Sequence, residues 1–246
     1  MQVRDGKKAY DFSLPARAVG YCSVQTFNRS PQQVMEYFRT KLEQALAQQA
    51  ARYPEAPTMP LLTSQELLAL AQQKPGFEEW NRAALEEVRQ GIYEKGHSYP
   101  DETLTYVQGV LDFLNYTQPV GIIGFAPPYY PATNSLLMEK PYFQKLQQVL
   151  QRTMKVKYEE YFLGVSDCSY CGLTTSDQPE DYKNNTPLWG TLYSFDMEAL
   201  AQLQVPFMLL GPWGKNLHEV TERVNLKSLT EELPRALRAV TEAAWE

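Results

Sequence analysis

Apolar residues recur at helical spacing through most of the first half of the chain and gather into short unbroken runs in the second. Ser30-Pro31-Gln32-Gln33 is a helix start. The serine can cap, proline sits at the first helical position where no donor is lost, and Gln33 can reach back to complete a capping box. Val34, Phe38, Leu42, Ala45 and Leu46 follow at helical intervals, which predicts one buried stripe on that helix. Upstream, the alternation from Ala18 through Tyr21, Ser23, Val24, Thr26 and Phe27 predicts a strand.

The prolines between Tyr53 and Pro60 make that stretch a connector. Thr63-Ser64-Gln65-Glu66 is a second capping box, opening a short helix through Leu67, Leu68 and Ala71 that Pro75-Gly76 ends. Phe77, Trp80, Ala84, Val88 and Ile92 mark a third helix, and Asp101 is read as the cap of a fourth carrying Leu104, Val107, Leu111 and Leu114.

Beyond Pro119 the pattern changes. Val120 to Phe125 has no polar alternation and predicts a strand covered on both faces, ending in the rigid loop Ala126-Pro127-Pro128-Tyr129-Tyr130-Pro131. Pro141 begins a helix with Phe143, Leu146, Val149 and Leu150 inward. Extended segments near Val156 to Phe162 and a short helix after Asp196 follow, then a second buried strand over Val205 to Leu210. Ser228-Leu229-Thr230-Glu231 is a third capping box, opening the last helix, although Pro234 must disturb its early hydrogen bonds. Strands separated by helices predict an α/β layered architecture, and the shift after Pro131 to a segment dense in Gly, Tyr and turns predicts two lobes with a boundary near 132–141.

Charge and cysteine content narrow the partners. With 23 basic and 29 acidic side chains the formal charge is −6, unlike a nucleic-acid binder. No apolar run approaches the ~20 residues of a membrane helix, and Met1-Gln-Val-Arg-Asp-Gly-Lys-Lys lacks the apolar core of a secretory signal. Three cysteines are too few for a disulfide framework, so the expected location is a reducing, cytoplasmic one.

Only two histidines could serve imidazole chemistry, His97 and His218. His97 lies in Lys95-Gly96-His97-Ser98, a turn between helices. His218, in the loop after the expected strand at Val205 to Leu210, is where ligands gather in open α/β sheets, although a plain surface histidine remains the competing reading. Asp167, in Gly164-Val165-Ser166-Asp167-Cys168, could bind a metal, orient a histidine or hold a substrate ammonium, or be an ordinary turn aspartate. Cys168 and Cys171 have the spacing of a redox or zinc-knuckle pair. No second pair completes a zinc site, the third thiol, Cys22, is far away in the chain, and a thioredoxin-like redox reading needs the pair opening a helix inside a βαβ unit near the N-terminus, which is not what surrounds it. Tyr129 and Tyr130 could line a pocket or form a packing corner. The phosphate-cradling glycine loop and the Gly-x-Ser-x-Gly elbow are absent from the sequence.

Five segments in order carry a resemblance: Ala18 to Val34, Phe125 to Pro131, Gly164 to Tyr170, Pro187-Leu188-Trp189-Gly190, and Gly211-Pro212 through His218 to Val224. Together they resemble the C-terminal part of the arginine-utilisation branch of the zinc metallopeptidase family that includes aminoacylase, carboxypeptidase G and succinyl-diaminopimelate desuccinylase. The resemblance implies an α+β lid or dimerisation domain over residues 1–138, followed by the C-terminal part of an α/β catalytic domain over 139–246. It implies that His218 is the family's last zinc ligand, with Glu222 in the usual His-x-x-x-Glu setting, and that Ser166 and Asp167 lie in a loop beside metal and substrate. Members use two zinc ions to activate a water against an amide carbonyl, helped by a glutamate base.

The family's His-x-Asp motif, bridging aspartate and Glu-Glu pair precede the lid, and this sequence begins with the lid under way. Catalytic zinc takes about three protein ligands. This chain offers His218 and little else, so the expectation is a fragment or subunit that hydrolyses nothing alone and needs a complementing N-terminal chain. The competing expectation is a non-catalytic, self-associating or regulatory module that forms a homo-oligomer through its lid.

Overall fold

The computed structural model describes residues 2–5, 17–26, 29–131, 141–158, 166–173, 179–203, 205 and 207–245. Helices dominate and strands pair only in twos among these residues, so the protein is of the mixed helix-and-strand class that the alternating elements predict. The chain divides into two units, Met1–Tyr129 with Thr175–Met197, and Tyr130–Thr174 with Glu198–Glu246.

In the first unit β1 (Gln2–Asp5) pairs antiparallel with β2 (Ala18–Tyr21), Gln2 opposite Tyr21. The strand stops at Tyr21 rather than continuing along the predicted alternation, and Phe27 lies outside the described residues. Helix α1 (Pro31–Arg52) starts as the sequence predicts, with a complete capping box between Ser30 and Gln33. Its stripe is not buried as expected. Pro31, Val34 and Met35 are covered, whereas Phe38 and Leu46 are half-buried and Leu42 is exposed, because only the first turns of this helix lie against the unit.

β3 (Leu61–Thr63) runs parallel to β4 (Gly121–Ile123), with Leu62 opposite Ile122. A parallel pair needs a long crossover, supplied here by α2 (Ser64–Gln72), α3 (Phe77–Tyr93) and α4 (Tyr99–Phe113). Thr63 and Glu66 form the predicted capping box, and Gly76 adopts the left-handed φ of 81° at the break before α3. Leu67, Ala71, Phe77, Val88, Tyr106, Val110 and Leu188 form the core.

Two expectations for α4 shift. Ser98, not Asp101, is the cap, its Oγ accepting the Asp101 N–H at 3.2 Å. The buried face is Glu102, Thr103, Tyr106 and Val110, rotated from the predicted leucine stripe, because the Tyr106 ring sits against Trp80 at 6.0 Å and Val110 enters the same cluster.

The second unit contains α5 (Pro141–Thr153) and α6 (Leu233–Trp245), packed around Leu150, Met154 and Ala236. Phe143, Leu146 and Leu150 point inward as predicted. Val205 to Leu210 forms no strand among its described residues. Val205 donates its N–H to the Cys171 carbonyl at 2.7 Å, and Leu209 is 55% exposed. An apolar run becomes a strand only where neighbours satisfy its backbone groups, and no described strand flanks this one.

The last helical run also starts earlier than predicted. Asn225 Oδ1 accepts the Ser228 N–H at 2.9 Å, while buried Ser228 turns its Oγ to the Trp213 N–H at 3.0 Å. Residues Ser228–Glu232 form a π turn in which the Leu233 N–H reaches the Ser228 carbonyl. Pro234, next in line, has no N–H to give, and this wider turn brings the chain to it.

Candidate functional site

β5 (Gly214–Lys215) and β6 (Arg223–Val224) form a two-residue antiparallel ladder, with Gly214 opposite Val224. The loop between them carries His218. Asn216 and His218 both take left-handed backbone angles, φ 58° and 63°. Asparagine visits that region readily and histidine more often than most residues. Local bonds hold the loop: Asn216 Nδ2 donates to Thr221 Oγ1 at 2.7 Å, and the Glu219 and Glu222 N–H groups donate to the Asn216 and Glu219 carbonyls at 3.0 Å each. Glu222 Oε2 accepts the His218 backbone N–H at 3.2 Å, so the carboxylate shapes the loop through the main chain.

The loop is exposed throughout, with Leu217 63% accessible and Val220 fully so. Around it Leu209, Trp213, Val224, Leu226 and Leu229 are exposed as well. His218 is thus presented on an exposed, solvent-facing hairpin that carries Leu217 and Val220 among polar and charged residues.

Ser166 caps the 3-10 turn Asp167–Cys171, its Oγ accepting the Cys168 N–H at 3.2 Å. The Asp167 side chain, Gly164 and Val165 lie outside the described residues. No hydrogen bond among the described residues joins Ser166 to His218 or Glu222. Nor do any three His, Cys, Asp or Glu side chains among them come together where they could hold a metal ion. The described donors therefore do not fit a zinc site, which needs at least three protein ligands when catalytic.

One arrangement escaped the sequence reading. His97 is more than a turn residue: its N–H donates to the Gly91 carbonyl at 2.9 Å, and its Nδ1 lies 2.5 Å from Oε1 of Glu102. Glu102 is buried, and its carboxyl occupies the space where a Cβ on Gly91 would stand. The pair ties the end of α3 to the start of α4. The five-residue offset between His97 and Glu102 carries no signal of its own, since it becomes a contact only through the turn between the helices.

Tyr129 belongs to a packed corner. Its ring lies 4.5 Å from that of Tyr182 and its N–H donates to the Tyr193 hydroxyl at 2.9 Å. The Tyr182 hydroxyl donates to the Ala126 carbonyl at 3.4 Å, and burial pushes its pKa above the ordinary tyrosine value. Trp189, Tyr193 and Phe195 complete the corner.

Neither a family model nor a solved structure matches the chain. It is similar to two proteins of Bacillus subtilis (strain 168). The uncharacterized protein YqjN is 27% identical over 256 aligned residues, covering 96% of this chain and 46% of YqjN. Protein RocB is 25% identical over 130 residues, covering 49% of this chain and 23% of RocB. The chain spans less than half the length of each relative. It is distantly related to RocB-like proteins. Among the described residues no helix is long and apolar enough to cross a membrane.

Proposed function

We infer that this chain is one part of a RocB-like amidohydrolase or peptidase, cleaving an amide bond only when another stretch of polypeptide supplies the catalytic base and the rest of the zinc-binding set. The observation that carries this reading is the agreement between two facts. The chain matches YqjN over 96% of its own length but 46% of the relative's, and its second unit leaves a run of large apolar side chains uncovered around His218. Those side chains would form part of the contact with the other stretch of polypeptide. His218 is the metal donor this chain would bring, Glu222 holds the loop that presents it, and Ser166 with Asp167 would stand beside the substrate. The similarity to RocB suggests arginine utilisation as the setting and zinc as the metal, and the three cysteines suggest a reducing, cytoplasmic location.

Co-expression with the polypeptide encoded immediately upstream, followed by an N-acyl amino acid hydrolysis assay in the presence of zinc, tests this reading. The expected result is a stable complex, activity in the complex alone, and loss of at least a hundredfold on His218→Ala, the scale of removing a metal ligand or its support. Failure to associate, or activity unchanged by His218→Ala, overturns it.

A second reading is favoured by the uncovered distal part of α1 and by the β1–β2 pair, which no other described strand joins. In it the chain is a non-catalytic module that self-associates through its N-terminal region. Light scattering across a concentration series separates the two, since a strictly monomeric chain removes the module.

A further inference from the structure

Cys168 and Cys171 have no part in the site above. Both are free, partly buried, and carried on the 3-10 turn Asp167–Cys171. The turn kinks at Tyr170 (φ −88°, ψ 18°), between the two cysteines, and the ends of a four-residue turn stay within about 7 Å of each other at Cα, close to the span of about 4.4–6.8 Å that a disulfide bridges. The turn is also anchored at both ends. Ser166 accepts the Cys168 N–H on its Oγ at 3.2 Å and the Ser169 N–H on its carbonyl at 3.0 Å, while the Cys171 carbonyl accepts the Val205 N–H at 2.7 Å.

We propose that Cys168 and Cys171 form a reversible dithiol–disulfide site whose oxidant is a low-molecular-weight disulfide of the glutathione type. The Cys168 thiolate attacks one sulfur of the oxidant, the bond between the oxidant's two sulfurs breaks, and the other sulfur leaves as a thiolate and takes a proton, so the attacked half stays on Cys168 as a mixed disulfide. The Cys171 thiol then loses its proton and displaces the second half of the oxidant as a thiol. Two protein thiols and one small disulfide become one protein disulfide and two small thiols. Burial, and then the neighbouring Cys168, push the Cys171 thiol up, which suits Cys171 to the second, intramolecular step. No third His, Cys, Asp or Glu among the described residues joins the two thiols as a metal site would require. The bridge closes a short loop and removes little chain entropy, so it should open under mild reduction. Closing it fixes covalently the turn that Ser166 caps and the carbonyl that holds Val205. This site stands whether or not the chain takes part in amide hydrolysis.

The test uses the full-length chain carrying Cys22→Ser, equilibrated with graded ratios of reduced to oxidised glutathione and quenched with an alkylating reagent. Trypsin releases both cysteines in the peptide from Tyr158 to Lys183, and mass spectrometry reads its state. The expected outcome is one transition, from two alkyl groups to none with the loss of two hydrogens. Cys168→Ser and Cys171→Ser should each stop at a glutathione adduct. Two alkyl groups persisting to the most oxidising ratio, or a wild-type pair that stops at the adduct, overturns the proposal.

Discussion

The two units treat their apolar side chains in opposite ways. In the first, α2, α3 and α4 enclose one cluster in which the Phe77, Trp80 and Phe113 rings stand 5.0–5.8 Å apart. In the second, Leu150, Met154 and Ala236 make a small core, while Leu209, Leu217 and Leu226 are 55%, 63% and 70% exposed. The contrast follows from pattern. Apolar residues at helical spacing bury against the next helix in the same stretch of chain. Short unbroken runs must be covered from both faces, and the second unit does not supply that cover from its described residues.

The largest test of this contrast is a pair of core truncations. Leu67→Ala and Leu150→Ala each remove a fully buried side chain and should each cost about 2–5 kcal/mol. In calorimetry they should move different unfolding transitions. One shared transition moved equally by both would break the contrast. Next in size is Gly91→Ala, which sets a methyl against the Glu102 carboxyl that His97 holds. It should cost about 1–3 kcal/mol by overpacking, read as a lower urea midpoint. An unchanged midpoint would show that Glu102 moves aside freely.

Amides of α4 should exchange with solvent at least about tenfold more slowly than those of α5, a gap of about 1.4 kcal/mol in opening free energy. Uniform protection would remove the distinction between the units. Thr63→Ala should cost about 1 kcal/mol through the lost cap. The Thr63 N–H bonded to Glu66 holds that carboxyl below its ordinary 4.5. A depressed carboxyl stabilises the fold above its unfolded value, and the contribution fades as pH falls through the folded one. The stability gap between wild type and Glu66→Gln, measured by thermal melting, should therefore be full at neutral pH and close below about 4.5. A gap that persists at acid pH would assign the effect to packing. The smallest effect is that of Val220→Lys on the fully exposed hairpin, within about 0.5 kcal/mol in stability. A large loss of stability would mean that the hairpin is packed in solution.

Local chemistry was the most legible part of the fold. The capping boxes at Ser30 and Thr63 and the break at Pro75-Gly76 are each set by residues within four positions of one another, and each formed as the sequence predicts. What depends on distant partners was not readable. Leu42 has the right spacing for a buried stripe, but nothing in α1 says where cover ends. The segment Val205 to Leu210 has strand composition but no described strand to pair with. Ser228 looks like a cap, yet its hydroxyl serves Trp213, fifteen residues upstream. In the candidate site, the histidine loop was visible as a motif, whereas the role of Glu222 toward the His218 main chain needed the hairpin's geometry.

The first unit is not continuous in the chain, and this bears on its biosynthesis. Ser64 donates to the carbonyl of Asn185 across 121 positions, and Leu188 lies in the cluster with Leu67 and Val110. A nascent polypeptide leaving the ribosome with α2 to α4 already made still lacks Leu188, so those helices must wait, incompletely sealed, while the intervening segment is translated. Translation tempo and chaperone access over that interval bear directly on the yield of folded protein.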